Sequence, residues 1–395
     1  EPFLIQGLMK KSLFLLLSAT IAIASCEKNN TPSKNSQVNL PESAYNYSDI
    51  TLPTHLTTNV LNGAGQNAAV DNDNTPADNP TTDEGATLGR VLFYDKNLSA
   101  NKTVSCASCH KQHKGFSDGD ILSRGFDGGV TTRHSMSLVN AVFYDRGRFF
   151  WDERAATLED QVLQPFQDEV EMGMTLDEIV AAVAQQDFYA DLFNDAFGSD
   201  EINSDRISKA LSQFIRAMVS VDSKYDQGRV STNNPNQNFT NFTESENRGK
   251  TLFFRPPGLG GGGCIGCHST EAFINPDNGP TNNGLDSNTT ADQGVFTAIP
   301  NPEFRGSFKV PSLKSIELSA PYMHDGRFAT LEEVIEHYNS GVQNHPNLAP
   351  ALRDDDGNPI RLNLSEQDKA DLVNFLKTLT DESLAEDEKF SDPWI

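Results

Sequence analysis

Two short motifs carry the clearest chemistry in this sequence. Each is Cys-x-x-Cys followed directly by His: CASCH at 106–110 and CIGCH at 264–268. Two thiols at this spacing add across the vinyl groups of one haem, and the adjacent histidine is placed to ligate its iron. The sequence therefore predicts two covalently attached c-type haems, one in each half. The residues that bind them are Cys106, Cys109, His110, Cys264, Cys267 and His268, with the two histidines as axial ligands of the iron.

The same cysteines allow a second interpretation, a zinc site or two disulfides, because paired CxxC motifs also hold zinc. The chain has five cysteines, and the fifth, Cys26, belongs to the N-terminal segment. A histidine directly after both pairs, together with an export signal, favours haem attachment over either alternative.

Residues 1–26 predict export. After an extension ahead of Met9, a basic start is followed by an apolar run at 13–24, which is too short to span a bilayer. The run ends in Ile-Ala-Ser-Cys, which resembles a bacterial lipobox and predicts a lipid anchor on Cys26. The plain alternative is an ordinary cleaved signal. Both predict a periplasmic or cell-envelope protein, and the lipobox adds attachment to the membrane.

The remaining chain divides by composition. Residues 27–83 are rich in Asn, Thr, Ser, Pro and Asp, which predicts a flexible polar tether, and 383–395 form an acidic tail. Between them, apolar residues recur at helical spacing over 207–219, and helices are also predicted at 175–197 and 365–379. No alternating strand of any length is predicted, so the fold class is mainly α.

The two halves of the chain repeat each other. GRVLF at 89–93 precedes the first motif, and GKTLF at 249–253 precedes the second. Further on, WDERAATLE at 151–159 aligns without a gap against HDGRFATLE at 324–332. Such self-similarity indicates duplication of one structural unit. It predicts two cytochrome c-like haem domains, 84–226 and 227–382.

The alignment also distinguishes the two haems by their sixth ligand. Tyr338 lies eleven residues after Arg327, and the position eleven residues after Arg154 is Pro165. Proline has no donor side chain, so a ligand at 338 has no counterpart in the first half. An open iron can bind peroxide, whereas an occupied one transfers electrons. The first half is therefore predicted to react with peroxide and the second to store an electron.

Cleavage of the O–O bond needs a group that moves a proton from the near oxygen to the far one. Glu171 follows Pro165 closely, and Gln161 lies one helical turn before the proline. Glu171 is the candidate acid–base group. The alternative is an ordinary exposed glutamate in an acidic stretch.

A long series of motifs extends over most of 84–380: CASCH, FSDG at 116–119, SLVNA at 137–141, FFWDERAATLEDQ at 149–161, VSVDSKYD at 219–226, CIGCH, VPSLKS at 310–315 and APYMHDGRFATLEEV at 320–334. With these motifs the sequence resembles the bacterial di-haem cytochrome c peroxidase family. The resemblance implies two cytochrome c-like domains that face each other. It places Gln161 and Glu171 in the pocket where peroxide reacts, and Trp151 between the haems as an electron relay. The alternative for Trp151 is a packed aromatic residue at the domain interface.

One departure from the family concerns the second haem. Many members carry methionine where this chain has Tyr338 as the sixth ligand. Tyrosine there is similar to the methylamine-utilisation di-haem enzyme, which oxidises tryptophan residues of a partner protein. A tyrosinate ligand stabilises ferric iron relative to methionine. Met323 and His337 are the competing donors.

Two further departures concern histidines. No histidine stands near Phe126, where members that require activation carry a reversibly bound ligand, so the first haem is expected to be open at rest unless His113 or His134 ligates it. The family's interdomain calcium site uses an asparagine where this chain has His134. The carbonyls of Ser319 and Pro321 remain as ligands, but histidine suits a hard cation poorly. Calcium is therefore not a firm expectation.

Together these features predict an enzyme that reduces hydrogen peroxide to water. The expected electron donor is a small c-type cytochrome or a cupredoxin, and the sequence leaves a homodimer open. A formal net charge of −24 argues against a nucleic-acid partner, because phosphates would be repelled. Two alternatives keep both haems: an enzyme that oxidises a protein or organic partner through a high-valent iron state, and a non-catalytic electron carrier.

Overall fold

The computed structural model describes residues 37–58, 68–232, 234–275 and 279–395. The predicted signal, its lipobox and Cys26 lie outside the described residues. Gln37–Ile395 forms one compact unit. Within the described ranges no helix has the length and apolar character needed to cross a membrane.

Helices dominate the described chain, and β-structure there is limited to isolated bridges, as the mainly α prediction requires. A π-helical turn at His337–Gly341 directly follows α10. The α-helices are α1 Thr54–Thr57, α2 Asp83–Tyr94, α3 Cys106–Cys109, α4 Leu158–Gln167, α5 Leu176–Ala184, α6 Phe188–Phe197, α7 Ser204–Arg216, α8 Lys224–Ser231, α9 Glu244–Phe254, α10 Leu331–Glu336, α11 Glu366–Lys377 and α12 Glu382–Glu386.

Local sequence explains where the predicted helices begin and break. The Ser365 side chain accepts from the backbone N–H of Asp368 and the Asp368 carboxylate accepts from that of Ser365, so the predicted start of α11 is confirmed. The single helix predicted at 175–197 is instead two helices, α5 and α6. Their junction allows Gln186 Nε2 and the Tyr189 hydroxyl to donate to the same Asp95 oxygen, each at 2.9 Å.

Two helix pairs form the frame of the molecule, α2 against α7 and α9 against α11. Each crossing depends on a glycine from the repeated motif. A Cβ at Gly89 would lie 2.0 Å from the carbonyl oxygen of Ala210, and one at Gly249 would lie 1.9 Å from that of Asp371. Only glycine permits this close approach, which explains why both motifs begin with it.

The repeat inferred from the sequence recurs in the backbone. Phe149 bridges to Ala155, and Tyr322 bridges to Phe328, at positions that correspond in the alignment. The residue after each of Phe149 and Tyr322 has a positive φ, 67° and 75° respectively. Positive φ is uncommon outside glycine, so its recurrence supports the duplication.

The prediction of a flexible tether is wrong for the residues of that segment that the structure describes. Tyr47 and Leu56 are fully buried, 1% and 0% exposed, and His55 Nε2 lies 2.8 Å from Asp226 Oδ1. A few apolar side chains can hold an otherwise polar segment on the protein when they are buried in its hydrophobic core. Residues 37–58 and 68–83 are therefore part of the folded protein.

The predicted acidic tail is also folded. Phe390 is buried against Phe116, with ring centroids 6.1 Å apart, and the Trp394 indole donates to the Val91 carbonyl at 3.1 Å. Arg90 Nε donates to the Ser391 carbonyl at 2.7 Å. The segment 382–395 thus packs on α2 and on the loop that follows the first CxxCH motif.

Candidate active site

The first motif opens into a cavity of about 180 Å³. The short helix α3 carries Cys106 and Cys109, and His110 caps its end. His110 Nδ1 lies 2.9 Å from the Phe116 carbonyl, to which it donates, so Nε2 is left free to ligate. Burial lowers the pKa of His110, which keeps the ring neutral. Both cysteines and this neutral imidazole line one cavity, an arrangement that fits a covalently bound haem.

The second motif opens into a cavity of about 220 Å³. Its lining includes Cys264, Cys267 and His268, and burial lowers the pKa of His268 to about 4. The remaining walls are largely apolar, which suits a porphyrin face. Among the apolar lining residues are Leu313, Leu331, Ile335, Leu372 and Leu376.

The cysteine thiols do not support the zinc or disulfide interpretation. Burial raises the pKa of Cys106 and that of Cys264 to about 12, so both thiols are protonated in the metal-free protein. The four cysteines in the described ranges form no disulfide. Nor do the described residues contain a cluster of three or more His, Cys, Asp or Glu side chains suited to a metal.

The predicted acid–base residue lies in the first cavity. Glu171 and Gln161 both line it, together with the motif residues. Burial raises the pKa of Glu171 to about 7, Asp168 adds to the rise, and Arg154 opposes it. A carboxyl group with a pKa near neutrality can both accept and return a proton. The Glu171 side chain is half-buried, whereas its neighbours Asp168 and Glu169 are exposed.

The candidate ligands of the second site lie together. Tyr338 and Met323 both line the second cavity, and Asn283 lies beside both. Asn283 Nδ2 donates to Met323 Sδ at 3.5 Å, and burial raises the pKa of Tyr338 to about 12. The third candidate, His337, instead places Nε2 3.1 Å from the Asn283 carbonyl.

Trp151 belongs to the walls of both cavities. Its indole N–H donates to the His134 carbonyl at 2.8 Å, and its own carbonyl accepts from the Lys309 N–H at 2.9 Å. The ring also contacts His324, with centroids 6.4 Å apart. In the repeat, His324 is the counterpart of Trp151, so corresponding residues of the two halves meet here.

A family model described as di-haem cytochrome c peroxidase matches residues 83–233. The methylamine utilization protein MauG of Methylorubrum extorquens is 34% identical over 311 residues, covering 78% of this chain and 82% of that protein. The chain belongs to the di-haem cytochrome c peroxidase family. Another member, the cytochrome c551 peroxidase of Nitrosomonas europaea, is 32% identical over 277 residues, covering 65% of this chain and 73% of that protein.

Solved structures of similar proteins agree with this family assignment. A crystal structure of a MauG-like protein associated with microbial copper homeostasis superposes with a TM-score of 0.72 at 34% identity, covering 84% of this chain and 99% of that one. The diheme peroxidase BthA from Burkholderia thailandensis shares the fold, with a TM-score of 0.61 at 22% identity, covering 78% and 89% of the two chains. Membership implies a c-type haem at each CxxCH motif, and the two cavities fit that assignment.

The position where the sequence resemblance implies a calcium ligand is occupied by His134. The His134 ring is 4% exposed, with Nδ1 facing the carbonyl oxygens of Asp120 and Ile121 at 3.1 and 3.2 Å. Its Nε2 lies 3.2 Å from Ser117 Oγ. Imidazole is a poor ligand for Ca²⁺, and here the ring already engages the neighbouring oxygens. These residues do not fit a calcium site.

Lys309 is a feature of the site that sequence reasoning missed. It is buried, 6% exposed, and lines both cavities next to Trp151. Lysine is usually a surface residue, so nothing in its type or spacing marks it for a buried role. The one available signal was its position directly before the VPSLKS motif at 310–315.

Proposed function

We propose that this protein reduces hydrogen peroxide to water with electrons from a small redox protein. The overall reaction takes one peroxide, two electrons and two protons to two waters. The observation that carries the proposal is the position of Glu171, which shares the first cavity with the CASCH motif and has a pKa raised to about 7. A carboxyl group of this kind is suited to proton transfer within bound peroxide.

Each residue of the first cavity has a distinct task. When bound, the haem supplies the redox chemistry at the O–O bond. Glu171 takes the proton from the near oxygen and returns it to the far oxygen, which leaves as water. The Gln161 amide would orient the bound oxygen atoms, and Pro165 supplies no donor atom at the position that corresponds to Tyr338. His110 would hold the haem iron through Nε2, since its Nδ1 donates to the Phe116 carbonyl.

The second cavity serves as the electron store. His268 would ligate the second haem iron, with Tyr338 as the proposed second protein ligand and Met323 as its competitor. Trp151 lines both cavities and is the proposed electron relay between them. A small c-type cytochrome or a cupredoxin refills the store, in a periplasmic or envelope location that Cys26 would anchor to the membrane.

The direct test mixes the purified holo-protein with reduced small cytochrome c and hydrogen peroxide, without any prior reduction. Rapid, peroxide-dependent oxidation of the cytochrome is the expected result, because the proposal leaves the first haem open at rest. Absence of turnover, both as purified and after reduction by one electron, contradicts the proposal. A simple di-haem electron carrier needs both irons six-coordinate. High-spin ferric haem in the resting protein would therefore favour an enzyme over such a carrier.

A second candidate function is favoured by Tyr338. The chain is 34% identical to MauG of Methylorubrum extorquens, and a tyrosine lines the second cavity at the expected ligand position. Tyrosinate stabilises oxidised iron, which suits an enzyme that uses peroxide to oxidise a protein or organic partner. An oxidising state that persists after peroxide addition, and decays only when such a partner is supplied, would favour this candidate over peroxidase turnover.

A further inference from the structure

The ammonium group of Lys309 lies at the boundary between the two cavities. Its Nζ is 3.9 Å from the centroid of the Tyr144 ring and 3.8 Å from Met136 Sδ. Its backbone N–H is fixed by the bond to the Trp151 carbonyl. A buried ammonium is costly unless it is paired with a negative charge, and an aromatic face compensates only in part.

The Glu153 carboxylate, whose charge acts on Lys309, is already committed to other groups. Glu153 accepts from the Tyr144 hydroxyl and from Arg146 Nε, each at 2.6 Å. Within the described part of the chain, Lys309 makes no ion pair with a carboxylate. Burial lowers the pKa of Lys309 to about 8, and the charge of Glu153 opposes that change.

The other basic side chains of the cavity walls are neutralised. Arg133 donates to Asp152 at 2.7 Å and to both oxygens of Asp292 at 2.8 and 2.9 Å. Arg154 donates to Asp152 at 3.1 Å. Among the described lysines and arginines that line either cavity, Lys309 alone lacks a carboxylate partner. The boundary between the cavities is thus a buried position that lacks an anion.

A c-type haem carries two propionate carboxylates, which are anions of the required kind. We propose that Lys309 is the counter-ion of a haem propionate at the boundary between the two cavities, and that its charge biases the distribution of electrons between the two haems. The inference rests on haem occupying both cavities, not on which substrate the enzyme oxidises. Lys309 is accordingly a cofactor-binding residue with an electrostatic role.

Removing this charge has a defined consequence. A propionate left without its counter-ion in a site of low dielectric stabilises ferric haem, so the reduction potential of that haem falls. Alternatively the propionate takes up a proton, and the potential then varies with pH. Either response affects the haem that is paired with Lys309 more than the other haem.

The experiment compares Lys309→Met and Lys309→Arg with the wild type as purified holo-proteins. Spectroelectrochemical titration at several pH values gives the potential of each haem. We expect Lys309→Met to shift the one-electron equilibrium between the haems at least tenfold, which is about 59 mV. Lys309→Arg keeps the charge and should remain close to wild type. The control is Lys377→Met, which removes a charge from an exposed lysine on α11.

Identical potentials in Lys309→Met and the wild type, with both haems attached, would overturn the inference. If Lys309→Met does not load haem, Lys309→Arg still decides the question. Resonance Raman bands of the propionates report their hydrogen bonding. If residue 309 binds a propionate, Lys309→Arg should shift these bands. Unchanged bands would contradict the inference. Neither readout needs catalytic turnover, so failure of the peroxidase proposal is distinguished from failure of this one.

Discussion

Pro165 and Tyr338 occupy corresponding positions of the repeat, and each lines the cavity of its own half. Pro165 lies within α4, and Tyr338 lies in the π-helical turn that follows α10. The corresponding position therefore carries a pyrrolidine ring without a donor atom in the first half and a phenol in the second. This single difference accounts for the proposed division between a reactive haem and an electron-storing haem.

Supplying a donor at the first position should close the first site. In Pro165→Tyr we expect the high-spin signal of the first haem to be lost and peroxide turnover to fall sharply, because the phenol competes with peroxide for the open face. Electron paramagnetic resonance and steady-state assays measure the two effects. Pro165→Ala is the matched control, since it also removes proline but adds no donor. A high-spin first haem in Pro165→Tyr would contradict the division of roles.

The corresponding position in the second half can be tested by replacing its proposed ligand, Tyr338. Tyr338→Met should raise the reduction potential of the second haem, because thioether stabilises ferrous iron relative to tyrosinate. Tyr338→Phe removes the donor without replacing it and serves as the control. If neither variant changes the potential or the absorption spectrum of the second haem, Met323 becomes the preferred ligand, since it lines the same cavity.

Glu171 should control turnover without affecting haem attachment. Its pKa is raised to about 7, so below neutrality the carboxyl group is protonated and cannot accept the first proton from peroxide. We expect kcat/KM to rise as the pH increases through about 7. Glu171→Gln should lower it on the order of 10²- to 10⁴-fold and remove that rise. Glu169→Gln, at an exposed neighbour, is the control. A wild-type pH profile in Glu171→Gln would exclude this residue from proton transfer.

The C-terminal segment should stabilise the first haem site. Phe390 packs on Phe116, whose carbonyl orients His110, and Gln112 Nε2 donates to the carbonyls of Leu384 and Asp387. Phe390→Ala should cost about 3 to 5 kcal/mol of unfolding free energy, as for other buried phenylalanines. Chemical denaturation measures it, with Ile395→Ala, 90% exposed, as the control. Equal stability of the two variants would show that the segment is not structurally important.

The sequence predicted those features whose signals are local. The CxxCH motifs, the helical spacing at 207–219 and the start of α11 at Ser365 each depend on neighbours in the chain. Composition failed for the tether, because it averages over a segment in which a few apolar side chains, such as Tyr47 and Leu56, are buried in the core. The environment of Lys309 could not be predicted either, because its burial depends on contacts with residues more than 150 positions away, such as Tyr144 and Trp151.

His134 offers a test of whether this chain binds calcium at the position where the sequence resemblance implies a ligand. Its ring engages the carbonyls of Asp120 and Ile121, so we expect the wild type to contain less than stoichiometric calcium and to melt at the same temperature with or without a chelator. His134→Asn replaces the ring with an amide oxygen, a ligand that Ca²⁺ prefers. This variant should bind one calcium ion and melt at a higher temperature when calcium is added. His134→Ala, which vacates the space without supplying a ligand, should not respond. One tightly held calcium ion in the wild type, with stability lost on chelation, would mean that the metal binds despite the histidine.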